Sequence, residues 1–326
     1  MSNRTLISEV TLVGFPGAPE YLDSFISAIM FLVYIISLVA NGSVLGLVII
    51  SAHLHQPMYL IIANLSASDL LFDTATLPKL IAKYWFGDAQ MPFRACLFQM
   101  FCVHYFGTVD SFLLLLMAVD RYAAICHPLR YATLIDIRMI VLACGLCWAV
   151  LAPSTIVVIT ARISQMALCD RDKIGTLFCT HTAISALSCT DVSSLRVVAF
   201  TSALVVLLTC LALIVISYIL IIREISSTHS ENWQKAFYTC TTHLLVISLY
   251  YVPRVFVYIV TNIPLLKVQN EANVVLLCLY SFVPHLASPI IYFLRTKEIA
   301  ETLRKVLRKK FRSFPAINIQ VGTNHS

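Results

Sequence analysis

The chain has 326 residues, of which 59% are hydrophobic and 12% charged, with a formal net charge of +6 and a mean hydropathy of +0.84. Soluble domains carry roughly a quarter of their residues charged, so this composition excludes a water-dispersed globule. The length would allow two soluble domains, but apolar blocks recur along nearly the whole chain with no polar domain between them. That is the pattern of one membrane bundle.

Residues 1–24 read as an extracellular N-terminus. Pro16, Pro19 and several polar residues, with no basic segment leading into a short apolar one, give no cleavable signal, so the first apolar block is expected to serve as an uncleaved anchor. Asn3-Arg4-Thr5 is a glycosylation acceptor. A helix needs about 20 apolar residues to cross ~30 Å of hydrocarbon. Seven blocks qualify within a bundle spanning residues 25–294: Phe25–Ile50, Met58–Ile81, Ala95–Ile125, Met139–Ala161, Val197–Ile222, Ala236–Asn262 and Asn273–Leu294. Open sheets would leave backbone groups unpaired in lipid, and the blocks lack the alternation of barrel strands. With the first helix entering from outside, thirteen basic residues fall on the cytoplasmic side and nine outside, a modest positive-inside bias carried by the tail. Asn41-Gly-Ser, Asn64-Leu-Ser and Asn324-His-Ser match the glycosylation pattern in helices or the inner tail, where they read as coincidence.

Ionisable residues inside a span are costly and are functional candidates by default. Asp69 lies eleven residues into the second span and Asp110 ten residues before Asp120, which puts both ~15–17 Å deep, near the midplane. Two carboxylates at one depth repel unless they share a proton or a cation. Two readings stand: a bound Na⁺ helped by Asn41 and Ser288, or two hydrogen-bonded acids with at least one protonated. Further out on the third span, His104, Gly107, Thr108 and Ser111 form a polar stripe at helical spacing. Beyond the fourth span, the loop of about 162–196 is long enough to be a lid or binding loop, and His181 in it is a candidate ligand contact. Tyr251, Arg254, Tyr258 and Thr261 make a matching stripe on the sixth span. Facing stripes in a helical bundle are a common way to line a pocket. Arg254 either pairs with a ligand anion or snorkels outward.

Of eleven cysteines, seven fall in or beside apolar spans, where free thiols act as small hydrophobes; Cys144-Gly-Leu-Cys147 within the fourth span is a weak metal or redox signal. Cys96, Cys169, Cys179 and Cys189 belong to the outer, oxidising face, and four cysteines allow three pairings. After the seventh span, residues 295–326 form a cytoplasmic tail. Its start, Arg295–Arg312, sets Ile299, Leu303, Val306, Leu307 and Phe311 at helical spacing among basic residues, as in an amphipathic helix lying on anionic lipid.

The third-span run Met117-Ala-Val-Asp-Arg-Tyr-Ala-Ala-Ile-Cys-His-Pro-Leu-Arg-Tyr131 closely resembles the signature of the odorant receptors. Pro57-Met-Tyr59, Asn64-Leu-Ser-Ala-Ser-Asp69, Ser217-Tyr218, Lys235-Ala-Phe-Tyr-Thr-Cys-Thr-Thr-His243 and Pro289-Ile-Ile-Tyr-Phe-Leu-Arg295 resemble the family's other motifs, in order along nearly the whole chain. The resemblance implies an all-α seven-transmembrane bundle with disulfides Cys96–Cys179 and Cys169–Cys189. It also implies an inner-face switch made by Asp120, Arg121 and Tyr122 with Tyr218 and Tyr292, and a pivot at Tyr251. Asp69 and Asp110 match the acidic positions of a sodium site seen in this class. Gly14-Phe-Pro-Gly17 and His127-Pro-Leu-Arg130 resemble the fish-like subgroup, whose ligands tend to be water-soluble. Ser288 departs from the asparagine usual before Pro289, which weakens one sodium ligand, and Val103 replaces the aspartate of amine receptors, which argues against an amine ligand. The alternatives are a non-olfactory chemosensory G-protein-coupled receptor and, further off, an ion-coupled transporter, for which no internal repeat is present; no catalytic motif supports an enzyme. The expected protein is a plasma-membrane receptor of olfactory cilia, with no required cofactor and no nucleic-acid partner. It would bind a small odorant, anionic or water-soluble, and raise cyclic AMP through a stimulatory olfactory-type G protein.

Overall fold

The structure, a computed structural model, describes residues 8–15, 17–169, 172–227, 233–262 and 270–312; the side chains of Thr155, Tyr258, Arg295, Leu307 and of residues 233–239, 260–262, 270–274 and 309–312 stand outside that description. Asn3 and Asn324 therefore lie outside the described residues, as do the side chains of Tyr258 and Thr261.

Helices dominate because the apolar blocks can bond their backbone only within themselves in lipid. In chain order they are α1 (Asp23–Ile50), α2 (Pro57–Phe86), α3 (Phe93–Cys126), α4 (Tyr131–Leu134), α5 (Ile137–Leu146), α6 (Ala152–Ser164), α7 (His181–Ser185), α8 (Ser193–Ser227), α9 (Trp233–Asn262), α10 (Asn270–Arg295) and α11 (Lys297–Arg312). Seven helical stretches among the described residues are long and apolar enough to cross a membrane; α5 and α6 together supply the fourth. Each runs a few residues past its apolar block, since helical hydrogen bonding continues into the polar flanks. Local chemistry sets several ends. Pro57 opens α2, where its missing N–H costs nothing, and Gly87 closes it with φ +70°, its N–H returning to the Ala82 carbonyl. Between α5 and α6 a π turn covers Cys147–Leu151. It stops just short of Pro153, whose lack of an N–H and whose ring bulk disturb the preceding turn.

The expectation of an all-α chain omits a small outer sheet. Strand β1 (Glu9–Leu12) lies between β2 (Gln90–Pro92), antiparallel, and β3 (Lys173–Ile174), parallel. Val10 and Leu12 alternate inward and are buried with Met91, Met100 and Ile174. The N-terminal segment is thereby clamped between the top of α3 and the loop that follows α6.

α3 runs through the middle and touches α2, α6, α8 and α9. The inner half of the bundle packs on Leu113, Leu114, Met117, Ile214, Val246 and Tyr292; the outer half packs on Phe72, Phe106, Phe178 and Phe282. Large apolar side chains point outward along the spans, among them Leu142 at 64% exposure, Val205 at 63% and Val252 at 66%. α11 buries Ile299 and is held to the turn after α1 by His53, whose Nε2 lies 2.8 Å from Thr302 Oγ1.

Candidate functional site

At the outer end, Cys96 at the top of α3 is bonded to Cys179 (Cα–Cα 5.5 Å) and Cys169 to Cys189 (Cα–Cα 4.9 Å). The loop is pinned a second time: the Cys179 N–H donates to Gln99 Oε1 at 2.9 Å, and Gln99 Nε2 donates to the Ala75 carbonyl at 2.8 Å. These bonds bring His181 over the third-helix stripe. Its backbone N–H reaches His104 Nε2 at 3.3 Å, so that nitrogen accepts and the proton sits on Nδ1. Burial, helped by Arg196, pushes the His181 imidazole down to about 4, so it is neutral at physiological pH. His181 Nε2 is buried with no hydrogen-bond partner among the described residues.

Beneath the lid Tyr251 and Arg254, the described part of the sixth-span stripe, meet the third-helix stripe. Arg254 Nη1 donates to the Gly107 carbonyl at 2.7 Å and faces Ser111 Oγ at 3.3 Å; its Nη2 lies 3.9 Å from Asp110 Oδ2. Tyr251 reaches the Ser111 carbonyl at 3.4 Å. Thr108 and Ser111 return their hydroxyls to the carbonyls one turn back, of His104 and Gly107. Arg254 therefore points inward, and the snorkelling reading is excluded. A Cβ at Gly107 would sit in ordinary contact, 3.4 Å from Arg254 Nη2, so it is a side chain larger than a methyl that would crowd the guanidinium.

One to two turns deeper is a buried polar cluster only half anticipated. Asp69 and Asp73 are four residues apart on one face of α2. Tyr250 donates to Asp69 (2.8 and 2.7 Å to its two oxygens), with Ser288 at 3.5 Å. Ser37 bonds Asp73 Oδ2 at 2.5 Å. His285 stands between the acids, Nδ1 2.8 Å from Asp73 Oδ1 and Nε2 3.4 Å from Asp69 Oδ1. Asn41 spends its amide on the His285 carbonyl (2.9 Å) and Ser37 (3.3 Å). The residues expected to hold Na⁺ are thus not an oxygen cage. Asp69, Asp110 and His285 each present one atom within 4.8 Å of the others, so an imidazole nitrogen stands among the atoms that would face an ion, whereas hard cations prefer oxygen ligands. The set does not fit sodium. Asp73 and His285 were detectable by the same criterion that found Asp69, being ionisable groups inside apolar spans.

At the inner end Arg121 folds onto Asp120, with Nη2 at 2.6 Å and Nε at 3.0 Å from Oδ2, while Tyr131 donates to Oδ1 at 2.7 Å. Burial, and after it the Asp120 bond, raises the Tyr131 phenol well above its usual range, which keeps it a donor. Tyr218 is buried, and Tyr292 meets Met117 Sδ at 3.7 Å beside His243. Tyr122 lies 3.5 Å from His127 Nε2. Asp120, Arg121, Tyr218 and Tyr292 converge near α3, whereas Tyr122 faces the loop. Asn64 takes the Trp148 indole N–H at 3.0 Å inside the bundle, and Asn41 is fully buried, which agrees with neither being a glycan acceptor.

A bundle of this order, with a disulfide-pinned outer loop and an Asp-Arg pair closing the inner end of α3, has the seven-helix fold of rhodopsin. Squid rhodopsin shares its fold with a TM-score of 0.65, covering 92% of this chain and 91% of that one at 16% identity. The family model described as olfactory receptor matches residues 30–310. Human olfactory receptor 1M1 is 34% identical over 314 residues, 95% of this chain and 98% of that protein, and mouse olfactory receptor 1E16 is 35% identical over 309 residues, 94% and 97%. The chain belongs to the olfactory-receptor family.

Proposed function

We propose that this receptor holds its odorant in the outer half of the bundle, between the His104–Ser111 stripe of α3, the Tyr251–Arg254 face of α9 and His181 of the lid, and that binding activates a stimulatory, olfactory-type G protein and raises cyclic AMP. The supporting observation is the junction at Gly107, where Arg254 crosses from the pocket side of α9 to α3 and approaches Asp110. A ligand that moves α9 alters this junction directly, and it shifts the population of active bundles by its differential affinity for them. Arg121 and Asp120 form the inner switch, opened when α9 swings outward. Arg254 gives the pocket an anion-binding group, for which a ligand carboxylate would compete with Asp110; Gly14-Phe-Pro-Gly17 adds the fish-like reading of a water-soluble ligand. A plasma-membrane location in olfactory cilia, an outer N-terminus and a glycan on Asn3 complete the proposal.

The test is cyclic AMP in cells expressing the chain with an olfactory-type stimulatory G protein, screened against neutral, amine and carboxylate odorants. A response to carboxylates is expected. Arg121→Ala should abolish it at matched surface expression, and Arg254→Gln should lower potency about tenfold, the worth of one charge-assisted bond. A carboxylate response of unchanged potency in Arg254→Gln would remove the anionic-ligand reading.

A further inference from the structure

We propose that His285 is the resident cation of the membrane core and shuts sodium out of the acidic cleft, so that the resting state of this receptor does not depend on sodium.

Both ring nitrogens of His285 face carboxylates, Nδ1 at 2.8 Å from Asp73 and Nε2 at 3.4 Å from Asp69. A neutral imidazole has one N–H, so its other nitrogen would turn a lone pair toward a carboxylate oxygen. With both nitrogens donating, the ring is positively charged and satisfies both contacts. A proton resting on the Asp69 carboxyl instead would leave the net charge of the cleft the same. Asp73 is completed by Ser37 on its second oxygen and Asp69 by Tyr250. Asp110 is 1% exposed; the Ser68 hydroxyl of α2 stands beside it, but neither of its oxygens has a well-formed hydrogen bond among the described residues. Its compensation is charge: Arg254 at 3.9 Å, and the Asp69–Asp110–His285 grouping within 4.8 Å. Three buried carboxylates are thus faced by two side-chain cations supplied by the protein itself.

The carbonyl of His285 also receives the Asn41 amide at 2.9 Å, which holds α10 against α1 and fixes the ring's place. The count leaves one negative charge to attract sodium, but the ion could enter only against the repulsion of the His285 ring or by expelling a ring bonded at both ends. Without the ring, oxygens of Asp69, Asp110, Asn41 and Ser288 remain. Asn41 Oδ1 and both Asp110 oxygens already lack a well-formed hydrogen bond among the described residues, so shortening His285 to serine leaves an oxygen-lined space of the kind a hard cation takes.

The experiment uses the full-length receptor in nanodiscs and follows thermal unfolding as NaCl replaces choline chloride at constant ionic strength, with basal cyclic AMP in cells as a second readout. The wild type should be flat in both. His285→Ser should gain a sodium-dependent rise in midpoint of about 2–4 °C and a matching fall in basal signal, and both should vanish in His285→Ser/Asp110→Asn. His285→Lys, which keeps a cation, should stay flat. A sodium response in the wild type overturns the proposal, and that measurement needs no variant to fold. Insensitivity of both wild type and His285→Ser overturns the claim that His285 is what excludes the ion. Stabilisation of the wild type by Zn²⁺, lost in His285→Ser, would show a metal bound by the same groups and would also overturn it. No odorant is used, so failure here is distinct from failure of the odorant reading.

Discussion

Gly107 carries more of the pocket's geometry than its size suggests. The guanidinium of Arg254 lies across it, with Nη1 2.7 Å from its carbonyl and Nη2 3.4 Å from where a Cβ would sit. Gly107→Val adds two further carbons into that contact and should push Arg254 away from both the carbonyl and Asp110. Carboxylate potency should fall about tenfold, as for the loss of one charged hydrogen bond, at unchanged surface expression. Dose–response curves of cyclic AMP read this directly; an unshifted curve would mean that Arg254 does not bear on the ligand. The stripe containing Gly107 was visible at helical spacing, but its partner was not. Spacing shows that a glycine lies on a face; only the packing shows that an arginine from another helix lies against it.

At the scale of the element, the lid, with α7 at its centre, is held by two disulfides, the Gln99 bridge and the outer sheet. His181 gives it a pH dependence whose sign follows from its low folded value. The imidazole falls from the ordinary 6.5 to about 4 on burial, so between those values the unfolded lid binds more protons than the folded one. The stabilisation is complete above pH ~6.5 and is lost as pH falls toward 4. The thermal midpoint of the purified receptor should therefore drop over this window, and His181→Gln, which does not titrate, should flatten that part of the curve. Identical pH profiles would rule out burial of His181 as a contributor. Cys96, Cys169, Cys179 and Cys189 were legible as the outer group with three pairings open; the sheet was not, because strands of two to four residues have too little period to stand out.

At the scale of the molecule, the apolar surface of the spans is the part the membrane covers. Val205 and Val252 are 63% and 66% exposed on α8 and α9. A lysine at mid-span costs about 3 kcal/mol in membrane insertion, so Val205→Lys should cut surface delivery severalfold while Val205→Leu leaves it intact. Surface immunostaining in intact cells separates the two, and equal delivery would mean that this face is not toward lipid.

The amino-acid order alone determined the solvent, the seven spans, the amphipathic α11 and the depths of Asp69 and Asp110, because these depend on hydropathy and on position along a helix of fixed rise. It did not determine which charges meet. Asp69, Asp73, Asp110, Arg254 and His285 lie on four different segments, and whether they converge depends on the rotation and tilt of α2, α3, α9 and α10 about one another. By depth and family resemblance Asp110 reads as half of a sodium site; packing brings the Arg254 side chain to it from one side and sets His285 within the same grouping. Residues far apart in the chain share a cleft only when the whole bundle closes, so only the tertiary structure decided that the protein supplies its own cations.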